Sequence, residues 1–156
     1  MPEFYAGIGS RETPTNILEI MKKVSKKLEG ESFILRSGHA TGADQAFESS
    51  ISYSYNKEIF VAQEASLKAI EYASKFHGNW NNCSEYVKKL HGRNAMIILG
   101  QNLDKPVKFV ICWTKNGKDI GGTGLALRIA IENKIPIFNL YDENTFLIQS
   151  CVIFDV

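Results

Sequence analysis

The sequence predicts an α/β protein built on one open, mostly parallel β-sheet with helices on both faces. Short apolar runs alternate with longer amphipathic segments through five rounds, the pattern of strand–helix–strand units. Three of the runs end in glycine-rich turns that each open a helix: Gly7-Ile8-Gly9-Ser10-Arg11, Ser37-Gly38-His39-Ala40-Thr41-Gly42-Ala43-Asp44, and Gly121-Gly122-Thr123-Gly124. The run Val107-Lys108-Phe109-Val110-Ile111-Cys112-Trp113 is nearly continuous in hydrophobicity, as a central strand buried on both faces must be.

The elements follow in order. Residues 3–8 read as the first strand. Thr13 is the expected N-cap of the next helix, with Pro14 at its first position. Ile17, Met21, Val24 and Leu28 recur at helical spacing, and Gly30 closes the helix. Residues 32–36 form strand 2, and a helix over 42–53 turns Ala43, Ala46, Phe47 and Ile51 inward. Strand 3 (57–62), a helix (65–76) and a polar loop (77–82) follow. The helix over 84–99 carries Val87, Leu90, Ile97 and Ile98 on one stripe, interrupted by Arg93 and Asn94. A polar break in a buried face implies a core hydrogen bond, an interface with the next helix, or a polar ligand pocket. Strand 4 (107–113), an almost wholly apolar helix (122–133) and strand 5 (135–140) complete the alternation. The tail, 145–156, is apolar and β-prone, suited to an edge strand, a cap or a contact between copies of the chain. The expected strand order is 3-2-1-4-5, with the switch point between strands 1 and 4.

Composition narrows the partners. At 156 residues with 44% hydrophobic content, residues 1–156 read as a single domain with a real core. A formal net charge of +1 gives no overall basic field for nucleic acid. No apolar run approaches the roughly 20 residues of a membrane span, so no membrane partner is expected. Cys83, Cys112 and Cys151 lack metal spacing and read as buried free thiols in a reducing cytoplasm. His39, His77 and His91 show neither triad nor metal spacing. No chemistry is assigned to them, and neither a metal nor a cofactor is expected.

The glycine turns supply the functional expectation. Glycine lets backbone N–H groups approach an anion, and three such turns on one sheet edge would build a composite phosphate pocket. The candidate ligand-binding residues are Gly7, Gly9, Ser10 and Arg11 from the first turn. Ser37, Gly38, Thr41, Gly42, Ala43 and Asp44 come from the second, and Gly121, Gly122, Thr123 and Gly124 from the third. Arg93 and Asn94 join from the helix, and Trp113 is either core or a platform for a base. Arg93→Ala is expected to abolish ligand stabilisation while leaving the melting temperature of the free protein nearly unchanged.

Gly9-Ser10-Arg11, the Ser37–Asp44 block, Arg93-Asn94 and Gly122-Thr123 together resemble the Rossmann-like core of the DprA/Smf proteins, over residues 4 to about 140. That family belongs to the SLOG superfamily, with the LOG-type nucleotide phosphoribohydrolases. The run from Tyr5 to Pro14 also resembles small, stand-alone, bacteriophage-encoded DprA-like proteins. The resemblance implies binding of a nucleotide or nucleotide-derived ligand, by a sensor or sequestering protein or by a nucleotide N-glycosidic hydrolase. The alternative it implies is a DprA-like single-stranded DNA-binding protein; a homo-oligomer is expected as well. Thr41 and Ala95 stand where the DprA pattern has cations, which disfavours DNA. Gly121-Gly122-Thr123-Gly124 matches the LOG glycine turn, but Arg128 stands at the LOG catalytic glutamate. Enzymatic activity therefore stays open. It would need another carboxylate: Asp44 or Asp119 foremost, Glu48 after them.

Overall fold

The computed structural model describes residues 2–142. The apolar tail and Cys151 lie outside the described residues. The chain forms β1 (Glu3–Gly9), α1 (Thr15–Gly30), β2 (Phe33–Ser37), α2 (Ala43–Ser49), β3 (Lys57–Ile59), α3 (Leu67–Ser74), α4 (Glu85–Leu99), β4 (Phe109–Trp113), α5 (Gly121–Glu132) and β5 (Ile137–Asn139). The strands make one sheet in the order β3-β2-β1-β4-β5. Every pairing is parallel, as each strand-to-strand passage through a helix requires. Tyr5 is in register with Leu35 on one side and Phe109 on the other, and Gly9 with Trp113.

The period-two alternation of the central strands builds a core on each face. Tyr5, Leu35, Phe109 and Ile111 pack with Met21, Val24 and Leu28 of α1 and with Ala43 and Phe47 of α2. Their neighbours Ala6, Ile8, Val110 and Cys112 pack with Ala69 and Ala73 of α3, Ala95 and Ile98 of α4, and Leu125 and Ile129 of α5. Full burial of a side chain such as Met21 or Leu28 stabilises by about 1.5–3 kcal/mol. The Tyr5 ring stacks on Phe109 at 5.7 Å between centroids. Its buried hydroxyl donates to Ser25 Oγ, which donates to the Phe47 carbonyl. Burial drives the Tyr5 phenol far above its ordinary range.

Several element boundaries differ from the sequence expectation. Pro14 occupies the N-cap of α1, with extended ψ, and no side chain caps the helix. Thr13 is instead committed to the preceding turn, where its hydroxyl donates to the Ser10 carbonyl at 2.6 Å. The second helix ends at Ser49 rather than near residue 53. The chain then runs through a 3₁₀ turn at Ser54–Asn56, held by the Glu29 carboxylate, which accepts from the N–H of Ser52 and Tyr53 and from Asn56 Nδ2. Strands 3 and 5 are three residues each, because at the sheet edges only one neighbour extends the ladder. Among the described residues, no helix is long and apolar enough to cross a membrane.

A cleft at the switch point

A cleft of about 1020 Å³ opens beyond the carboxyl ends of β1 and β4, and residues of all three glycine turns line it. Small-molecule sites commonly measure roughly 300–1,000 Å³, so the cleft is of the size such sites have. Gly9, Ser10 and Arg11 come from the β1 turn; Gly38, Thr41 and Asp44 from the β2 turn; Gly121, Gly122 and Thr123 from the start of α5. Arg93 and Asn94 reach the same space from the buried side of α4. The polar break in the α4 stripe therefore serves two of the expected ends, a pocket wall and a core network.

That network joins two of the turns. Arg93 Nη1 donates to the Gly38 carbonyl at 2.8 Å and to the Phe60 carbonyl at 3.4 Å, and Nε donates to Asn94 Oδ1. Asn94 Nδ2 then donates to the Gly122 carbonyl at 3.1 Å. Two adjacent α4 side chains thus hold the β2 turn and the α5 turn at a fixed spacing. Gly38 is required here for close approach: a Cβ on it would lie 2.5 Å from Arg93 Nη1 and 3.0 Å from Asp44 Oδ2. The expectation that Arg93→Ala spares the free protein is revised accordingly, since this guanidinium is part of the fold.

Asp44 closes the β2 turn. Its carboxylate, 5% exposed, accepts from the N–H groups of Gly38 at 3.2 Å and Ala40 at 3.4 Å. Burial pushes its pKa from 3.8 up to about 6, against the opposing pull of Arg93 and of the N–H groups of Ala40, Gly38 and Gly9. Burial likewise works against the Arg93 charge, and Asp44 opposes that shift. A carboxyl raised in this way binds its proton more tightly folded than unfolded. The stability it contributes is present at low pH and is lost as pH rises through about 4 to 6. Wild type should therefore gain on Asp44→Asn by on the order of 3 kcal/mol as pH falls from 7 to 4. Denaturant unfolding of both proteins at several pH values measures this. A difference independent of pH would place the carboxyl at its ordinary value.

The other expected residues fall behind the wall. Ser37 turns its hydroxyl onto the Gly7 carbonyl at 2.6 Å. Gly7 faces Phe47, Gly42 lies against Ser10 and Arg11, and Ala43 is in the core. Gly124 packs on the Asp119 backbone at the start of α5. Trp113 is 8% exposed within the core and meets Tyr141 edge-on; its carbonyl, not its ring, serves the site, by accepting the Ser10 N–H. Asp119 does not line the cleft: its carboxylate pairs with Arg128 at 3.6 Å, and its carbonyl accepts from Arg128 Nη1. Glu48 pairs with His39 and Lys57.

Three further residues, Tyr86, His77 and His91, line the cleft without belonging to any motif in the sequence. Tyr86 is 59% exposed and stands seven residues, two helical turns, before Arg93. That spacing is the signal by which the sequence could reveal it. His77, His91 and Cys83, to which the sequence assigns no chemistry, come together in space. The fold places ligand atoms of the three within 4.8 Å of one another, with Cys83 only half-buried. Cys112 is buried as expected, which pushes its thiol up to about 12.

The sheet order and the cleft at its switch point define the class, a Rossmann-like α/β protein. Comparison of the chain with protein-family models, with curated proteins and with solved structures finds no match.

Proposed function

We propose that the cleft binds a nucleotide or nucleotide-derived ligand, its phosphate against the glycine turns. The observation that carries this reading is the convergence of three glycine turns with Arg11 and Arg93 on one cleft. Backbone N–H groups and guanidinium groups are the donors that phosphate oxygens take, Arg in bidentate fashion. The exposed ring of Tyr86 on the same wall is suited to stack on a base. The resemblance to the SLOG superfamily supports the same ligand class.

Binding as a sensor or sequestering protein is the form favoured here. Of the two foremost carboxyl candidates, Asp44 lines the cleft and Asp119 is tied to Arg128. Of the two, Asp44 is the one placed to serve any N-glycosidic hydrolysis, and its pKa near 6 suits proton transfer. Yet the same carboxylate holds the β2 turn together through Gly38 and Ala40, a structural task that explains its burial without chemistry.

Thermal unfolding with nucleoside monophosphates, dinucleotides and cyclic nucleotides tests the reading. A ligand at 100 times its Kd stabilises by about 2.7 kcal/mol. Arg11 is exposed, so Arg11→Ala should leave the free protein unchanged and weaken the stabilising nucleotide about 10- to 100-fold, the loss of one charge-assisted hydrogen bond of about 1.5–3 kcal/mol. Failure of every nucleotide to stabilise the protein would reject the proposal. Tight oligonucleotide binding that falls steeply with salt would replace it with the single-strand reading.

A further inference from the structure

We propose that His77, Cys83 and His91 form a binding site for zinc(II) at one end of the cleft, with a fourth coordination position open to the cleft. The donor set is two imidazoles and one thiolate, the ligand types zinc takes in proteins. The proposal rests on these residues alone and stands whether or not the cleft takes a nucleotide.

The chain assembles the three from two elements. The loop after α3 carries His77 and then makes a 3₁₀ turn at Trp80–Asn82, with Cys83 as its C-cap. Ser84 caps α4, accepting from the Val87 N–H. His91 lies eight residues beyond Cys83, two helical turns along α4. Cys83 Sγ stands 3.7 Å from His77 Nε2 and 3.9 Å from Nδ1. Bond lengths of about 2.1 Å to nitrogen and 2.3 Å to sulfur in a tetrahedron set that separation at roughly 3.6 Å. The third ligand needs a contraction of about an ångström from the 4.8 Å limit, within reach of a side chain on a half-buried loop.

A second observation points to a ligand independently. His91 is 6% exposed, and its Nδ1 is a buried polar atom with no hydrogen-bond partner among the described residues. Such an atom costs about 1–3 kcal/mol unless something satisfies it. A neutral imidazole can offer a lone pair at such a nitrogen. His77 Nδ1 also presents a lone pair, now accepting the Asn79 N–H at 3.0 Å. A metal would displace that one bond, in an exposed stretch where water can replace it. The Trp80 ring contacts both imidazoles, at 6.1 and 5.9 Å between centroids, and fixes their orientation from outside.

Both histidines line the cleft, so the open position faces it, the arrangement of zinc sites that take water or substrate rather than closed structural ones. One thiolate leaves the ion with a net positive charge, in a cleft that Arg128 also lines.

The test uses the full chain, stripped with a chelator and titrated with cobalt(II), then zinc(II). One cobalt per chain should bind, with the ligand-field absorption of a four-coordinate ion and a thiolate-to-metal charge-transfer band. Zinc should displace it. Cys83→Ser should remove the charge-transfer band and weaken zinc binding by at least about 100-fold, since loss even of an outer hydrogen bond costs about 10- to 100-fold. His39→Gln, an exposed control, should bind as wild type. Should Cys83→Ser fail to fold by circular dichroism, His77→Gln on the same loop carries the test through loss of affinity. Absence of stoichiometric zinc in wild type, or a charge-transfer band that survives Cys83→Ser, would overturn the site.

Discussion

Arg93→Ala is expected to lower the stability of the free protein by about 3 kcal/mol or more, because it leaves buried carbonyls without their charged donor and removes the cation that offsets the buried Asp44 carboxylate. Arg93 is 9% exposed and is the strongest charge acting on the buried Asp44. Removing it strands that carboxylate and takes the donor from the Gly38 and Phe60 carbonyls. The β2 turn then loses its tie to α4, and Asn94 loses the donor that aims it at Gly122. Urea unfolding of four proteins separates charge from geometry: wild type, Arg93→Ala, Asp44→Asn and the double variant. If charge dominates, Asp44→Asn rescues part of the loss, with a coupling of about 0.5–3 kcal/mol. Arg93→Lys keeps the charge but lacks the planar fork, and should fall between wild type and alanine. Additive losses would mean that Arg93 acts through hydrogen bonds alone. An Arg93→Ala protein as stable as wild type would remove Arg93 from the fold and return it to the role of a ligand contact only.

How much of the fold and the site is legible in the sequence depends on the length scale of the signal. Strands, helices and glycine turns are readable because their signals are local: hydrophobic period within an element, glycine at its end; the strand order then follows from the connection rules of parallel sheets. The same holds for the Arg93–Asn94 break, which is visible as a fault in a helical stripe. Element ends are less readable. Thr13 has the composition of an N-cap, yet a competing hydrogen bond to Ser10 claims its hydroxyl, and nothing in the local sequence ranks the two. The roles of Trp113 and Asp119 depend on which way a side chain turns at a strand or loop end, and partners distant in sequence decide that: Tyr141 for the one, Arg128 for the other. The His77, Cys83 and His91 cluster is hidden for a further reason. Its spacing crosses a loop and a helix, so no single period contains it, and only the turn at Trp80–Asn82 brings the two parts together.

Gly9→Ala is expected to destabilise the protein by about 3 kcal/mol or more, at the top of the range for overpacked cores. Gly9 ends β1 at the switch point, in register with Trp113 of β4. A Cβ there would lie 2.7 Å from the Ala43 Cβ, 2.9 Å from the Trp113 carbonyl oxygen and 3.2 Å from the Trp113 nitrogen. None of these atoms is the end of a side chain that can swing away. Relief requires β1 to part from β4, or α2 to lift from the sheet, and either motion breaks the Ser10 N–H bond to the Trp113 carbonyl. It also moves the Gly9 N–H that helps hold Asp44. The site and the fold therefore fail together, and no ligand affinity should survive in the variant. Gly30→Ala supplies the control. Gly30 ends α1, and nothing packs within 4 Å of where its Cβ would stand, so alanine there should be neutral or stabilise by about 0.4–1 kcal/mol through the unfolded chain. Equilibrium unfolding of both variants side by side distinguishes a steric requirement from a generic effect of glycine. If Gly9→Ala matched Gly30→Ala, the close approach of β1, β4 and α2 at the cleft floor would not be a constraint on this sequence. The expected difference, several kcal/mol from one methyl group at two glycines, comes from the packing around each.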